Sequence, residues 1–321
     1  MIFLFKNNDK LYLLTIPFLA IITFLFGFYF FYESTGDSCS KLQSTIPISV
    51  NIQVFLSLVF SLLNAFYINH VCSKHEITEK QNHLPGAIFI ILSSLFLHSP
   101  ALFSFYLTNL LVLVALDKFL GAYREESSGS KIFDGSFMLG LTMLISPNYI
   151  VLSLFPLISL LILKPFNIRE WAFSFLGLFT PFCFAMFYFF ITDKNIFYPF
   201  LNLKQFLISY HAFKVHTHSF SFVLSFCLLI LISLINLIIS PAVKKIKSQK
   251  ARVVLLWLFV FSVFESFYSL VNSLLPVTLL IIPFAVFFGD LIATMRKSFL
   301  ANLLLLFFLF SYFYLGISIN S

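Results

Sequence analysis

Long apolar runs recur from one end of this chain to the other. The first, Leu11 to Tyr32, holds 22 residues without a single charge. About 20 apolar residues, within a range of about 17 to 25, cross the hydrocarbon of a bilayer as a helix. Ten further apolar stretches follow, at 52–72, 84–98, 101–120, 135–147, 148–165, 171–192, 219–240, 253–271, 277–295 and 298–318. The whole chain is 60% hydrophobic and 10% charged, where a soluble globular protein carries about 25% charged residues. No water-soluble core has room for so much apolar surface. The expected fold is all-α: a polytopic transmembrane helix bundle of about eleven spans, forming a single integral membrane domain over residues 1–321. Stretches 84–98 and 135–147 are short for a full crossing. The breaks beside them, Ser99-Pro100 and Pro147-Asn148, predict short or broken helices. The first run is too long for a signal-peptide core and has no small-residue cleavage site after it, so it reads as a retained span.

The charges order the spans. With the N-terminus inside, sixteen of the twenty basic residues fall on the inner side, and Lys41, Lys194, Lys204 and Lys214 fall outside. Short cytoplasmic loops collect Lys and Arg, so the bias predicts N-terminus in, C-terminus out. The net charge of +7 is spread over these loops, which excludes the gathered basic patch of a nucleic-acid binder. "VKKIKSQKAR" is expected as a solvated inner connector and "YREESSGSK" as a flexible linker. Cys39, Cys72, Cys183 and Cys227 show no CxxC spacing, and no metal-ligand pattern accompanies them. No cofactor and no metal is expected. The expected partners are membrane lipids and other proteins of the envelope.

Ionisable groups within a bilayer are costly and therefore informative. Glu265 sits about 12 residues, or roughly 18 Å, into its span. Asp290 lies near the inner end of the next span and is expected to partner Arg296 or Lys297. The outer side collects the other candidates: Glu33 and Asp37 after the first span, His98 at a span end, and Lys204, His211 and Lys214 in the longest external segment. If 197–214 is helical, Lys204, His211 and Lys214 share one face among aromatic residues. A cationic face at membrane depth suits a lipid phosphate. His216 and His218 stand two apart, without a zinc motif.

The segment "GSFMLGLTMLISPNYIVLSLFPLISLLILKPFNIREWAFSFLGLFTPF" combines a short Gly-containing span, a break, a span ending in basic residues and a helix carrying Gly and Pro. This pattern resembles the middle of the C-type membrane glycosyltransferases, which use polyprenyl-phosphate sugars on the external face. There the region is scaffold. The resemblance implies a catalytic acid in the first external loop, here "YESTGDSCSKLQSTIP", with Asp37 or Glu33 as general base on an acceptor. That loop lacks the family's compact acid pair. Lys204, His211 and Lys214, with His98 and Glu265, would then bind a polyprenyl-phosphate-linked substrate. The chain as a whole, with "LNAFYINHVCSKHEITEKQNHLPGAIFIILSSLF" and "NIREWAFSFLGLFTPF", is similar to a family of Bacteroidota inner-membrane proteins of unassigned function. Two readings of another class stand beside the enzyme: a non-catalytic membrane subunit of an envelope or secretion assembly, and a transporter using Glu265.

Overall fold

The computed structural model describes residues 12–31, 50–78, 82–94, 102–125, 128–192, 229–230, 232–233, 246–272, 279–295 and 298–320. Among these the chain is 89% helical, without a strand. The α-helices are α1 (Tyr12–Phe31), α2 (Val50–Lys74), α3 (Leu84–Ser93), α4 (Leu102–Gly121), α5 (Gly129–Ile145), α6 (Phe155–Leu163), α7 (Ile168–Ile191), α8 (Ile246–Asn272), α9 (Ile281–Thr294) and α10 (Ser298–Asn320). A 3-10 segment, Pro147–Leu154, leads into α6. Among the described residues, three stretches are long and apolar enough to cross a membrane: Phe55–Lys74, Phe103–Gly121 and Ile168–Ile191.

An all-helical answer follows from the composition. Hydrocarbon offers backbone N–H and C=O groups no partner, so each segment must bond its own backbone. Buried hydroxyls obey the same rule. Ser61, Ser93, Ser94, Thr142, Ser159 and Ser262 each donate to a carbonyl three residues back, at 2.6 to 3.1 Å. Pro181 removes a donor inside α7, and one residue earlier Thr180 Oγ1 donates to Leu176 O at 2.5 Å.

The chain forms two compact units, interleaved along the sequence. Unit 1 comprises Met1–Tyr106, Lys214–Val243 and Ile281–Ser321. Its centre is made of two short helices, α3 and α9. All ten residues of α3 are buried, as are residues 281–293 of α9. A helix that is apolar all round belongs in an interior. The crossings are close. A Cβ on Gly86 would stand 2.6 Å from Ala65 O, and one on Gly289 would stand 2.9 Å from Pro85 Cγ. Gly86 N donates to Asn69 Oδ1 at 2.9 Å, tying α3 to α2. Asn64 Nδ2 donates to Phe60 O and, at 2.9 Å, to Tyr106 O. Asp290 is only 5% exposed within α9; Arg296 and Lys297, its expected partners, lie outside the described residues.

Unit 2 comprises Leu107–Phe213 and Lys244–Leu280. Its most extensive packing is α5 against α7. The contacting faces are lined by small residues at helical spacing: Ser136 and Gly140 on α5, Ser174 and Gly177 on α7, followed by Pro181. Ser136 and Ser174 hydroxyls meet at 3.2 Å. A Cβ on Gly140 would lie 2.6 Å from Leu178 O, and one on Gly177 would lie 2.6 Å from Phe133 O. Small residues let backbones approach in this way where no water drives helices together. On the other side, the 3-10 segment and α6 pack on α8, with Phe155 edge-on to both Phe119 and Phe261.

Two connectors are more ordered than the sequence suggests. The last residues of "YREESSGSK" already belong to α5, which starts at Gly129. Within "VKKIKSQKAR", α8 starts at Ile246, with Ser248, Ala251 and Arg252 buried. Both stretches carry apolar or small residues at positions that reach a neighbouring helix, so they pack rather than stand in water. The break at Pro147 is present: Ser146 is extended, at φ −136° and ψ 103°.

The glycine contact yields a direct test. Gly177→Val forces Phe133 O and Ser136 apart, at an expected cost of about 1–3 kcal/mol. Gly121→Ala, whose nearest neighbour would be Lys131 Cδ at 3.9 Å, leaves the thermal midpoint of the detergent-solubilised protein within a degree or two of the parent, whereas Gly177→Val lowers it by several degrees.

Candidate functional site

The described residues carry a polar cluster at one end of unit 2, where the loops assigned to the inner side converge. Lys164 is its centre. It follows the last turn of α6 in an extended conformation, which sends its side chain across the loop before α5. Its ammonium donates to Glu125 O at 2.6 Å, to Glu170 Oε1 at 2.7 Å and to Ser128 Oγ. An ammonium has three donors, so this one is fully used. Ser128 Oγ donates in turn to Glu170 Oε1 at 2.7 Å. The pair is nearly dry, with side chains 10% and 11% exposed. Glu170 stands in the first turn of α7, capped by Asn167, whose Oδ1 accepts from Arg169 N at 3.1 Å. A carboxylate there also meets the positive end of the helix dipole.

Around this staple the remaining charges sort into pairs and leftovers. Glu125 pairs with Lys131 at 2.6 Å and Lys118 with Asp134 at 3.0 Å. Among the described residues Arg124 and Lys250 pair with no carboxylate. Both lie over the Tyr123 ring, Arg124 Cζ at 5.3 Å and Lys250 Nζ at 5.0 Å from its centre. Lys250 Nζ also donates to Leu163 O at 3.2 Å, at the negative end of α6. Tyr123, Arg124 and Lys250, with Glu125, Pro165 and Ile246, line a groove of about 590 Å³. Its size lies within the range of about 300–1,000 Å³ usual for small-molecule sites.

Of the candidates read from sequence, Glu33, Asp37, His98, Lys204, His211 and Lys214 lie outside the described residues. Glu265 lies within them and is fully buried. It belongs to the inward stripe of α8, with Val254, Leu255, Leu258, Phe261 and Ser262, while Val253, Trp257, Val260 and Phe264 face outward. A carboxyl turned to hydrocarbon would cost about 2.5 kcal/mol or more, and the stripe avoids that cost. Sequence reasoning missed the Lys164–Glu170–Ser128 contact. The readable signal was a Lys ending one apolar run with a Glu six residues on. Ser128 comes from a loop 36 residues away from Lys164, and no local spacing reveals it. Asn109, fully buried in α4, has neither amide atom bonded.

Among the described residues no group of three or more His, Cys, Asp or Glu could hold a metal ion. Comparison with protein-family models, with curated proteins and with solved structures finds no match.

Two substitutions test this reading of the buried polar groups. Lys164→Ala strands Glu170 and is expected to cost about 3 kcal/mol, while the double change Lys164→Met, Glu170→Leu recovers much of that loss in the same thermal-unfolding assay. Asn109→Leu removes an unsatisfied amide and raises stability by about 1 kcal/mol; a drop of similar size would show that Asn109 is bonded in the working protein.

Proposed function

We propose that this chain is a multi-pass protein of the bacterial inner membrane that acts on polyprenyl-phosphate-linked substrates at the external face, as the C-type glycosyltransferases do. The observation that supports this most is the 129–191 module. A short helix breaks at Ser146, a second begins as 3-10, and a Gly- and Pro-bearing third closes on the first through Gly140 and Gly177. That succession is the scaffold arrangement the resemblance implies. In this reading Asp37 is the general base, with Glu33 the neighbouring carboxylate in the same loop. Lys204, His211 and Lys214 hold the carrier phosphate, since cations are the groups that bind it best. His98 and Glu265 complete the substrate contacts in this reading.

A second reading, a non-catalytic subunit of an envelope assembly, draws on α7. Phe175, Leu176, Phe179, Phe184, Phe187 and Phe190 are exposed along it, a wide aromatic face suited to a neighbouring membrane helix as well as to lipid.

The sidedness on which both readings depend is open to labelling. With the four native cysteines replaced, Thr192→Cys is expected to react with an impermeant thiol reagent in intact spheroplasts and Lys247→Cys to stay unlabelled. Both positions are exposed on the protein surface, so reversed labelling would overturn the external assignment. Binding then separates the readings. The purified parent should bind a polyprenyl-phosphate, and Lys204→Ala, His211→Ala and Lys214→Ala should each weaken it by about fivefold, the usual effect of one cation near a lipid phosphate. Absence of binding by the parent would favour the subunit.

A further inference from the structure

Among the described residues, two cations of unit 2 find no carboxylate. Glu170 is held by Lys164 and Ser128, and Glu125 by Lys131. Arg124 is exposed, and its guanidinium has five donors to offer. Of the three donors of Lys250, one is on Leu163 O. Each cation lies over the Tyr123 ring, and all three residues line the groove of about 590 Å³. The groove therefore presents a planar fork and an ammonium on the same ring.

We propose that this groove is a binding site for a phosphate ester, with Arg124 and Lys250 as its ligands. The guanidinium fork matches two phosphate oxygens, and the ammonium supplies a third contact as a point charge. The closed Lys164–Glu170–Ser128 staple beneath them positions the floor and binds nothing itself. The surroundings suit a phosphate at a bilayer surface. The groove opens where α4, α6 and α8 end or begin. Phe166, in the adjoining loop, is 69% exposed and Ile168, at the start of α7, is 77% exposed, apolar surface that belongs among acyl chains. Lys247 is exposed one turn before Lys250. The phosphate is thus carried either by an anionic phospholipid of the inner leaflet or by a soluble phosphate ester. The proposal does not rest on the transferase reading.

The experiment uses the full chain in detergent, with native mass spectrometry as the readout. The probes are phosphatidylglycerol, glycerol 1-phosphate and, as a control without net charge, phosphatidylcholine. The parent is expected to retain one phosphatidylglycerol or one glycerol 1-phosphate and no phosphatidylcholine. Arg124→Ala should weaken binding by about fivefold and the double change with Lys250→Met by about twenty-fivefold, at roughly fivefold per surface cation. Binding of phosphatidylglycerol alone assigns the site to lipid, and binding of glycerol 1-phosphate assigns it to a soluble ester; both support the proposal. Failure of the parent to bind either probe overturns it. So does a folded Arg124→Ala variant that binds as the parent does, a result that stands whether or not the double variant folds.

Discussion

Close approach of two backbones, at Gly140 on α5 and Gly177 on α7, is the constraint on which unit 2 depends. Contact at 2.6 Å between a notional Cβ and the opposing carbonyl leaves no freedom to slide. Once α5 and α7 are locked in register, their neighbouring ends are fixed as well. Ser128 at the head of α5 then meets Glu170 in the first turn of α7, and Lys164 closes the triangle from the end of α6. The Tyr123–Glu125 turn is anchored in the same step, because Lys164 holds Glu125 O. Arg124 has the left-handed φ of 59° that this turn requires, a conformation few non-glycine residues adopt. A packing contact in the helix interior thus determines the shape of a charged surface some turns away.

Much of the fold could be read in the sequence. The ends of α1, α2, α4, α7 and α10 fall within a few residues of the apolar runs, because a run bounded by charges or prolines leaves a helix few places to stop. The centre of unit 1 could not be read so well. Leu84–Ser93 carries no charge and Ile281–Thr294 only Asp290, and so uniform a pattern carries no direction. Only the structure tells that they are covered on every side by neighbouring helices. The pairing expected of Asp290 involves Arg296 and Lys297, which lie outside the described residues.

The candidate sites divide differently. Glu265 was singled out as an acid in an apolar run, and helical period explains its burial: it is three residues past Ser262 and four past Phe261 on the covered stripe. The groove was invisible because its parts come from three separated segments, near 124, 164 and 250. Each looked like an ordinary basic loop. What distinguishes Arg124 and Lys250 from Lys118, Lys131 and Lys164 is which of them finds a carboxylate, and that is a property of the tertiary structure alone.

The brevity of α5 bears on how the chain enters a membrane. After Lys131 and Asp134 it has only the stretch 135–145 free of charge, roughly 16 Å of helix at 1.5 Å per residue, against about 30 Å of hydrocarbon. A segment of that length is a poor substrate for insertion by itself. What holds it is the glycine seam with α7, which follows it in the chain. The two helices therefore form one unit of packing: α5 finds its place only once Gly177 has been made, and whatever surroundings receive the pair receive it together.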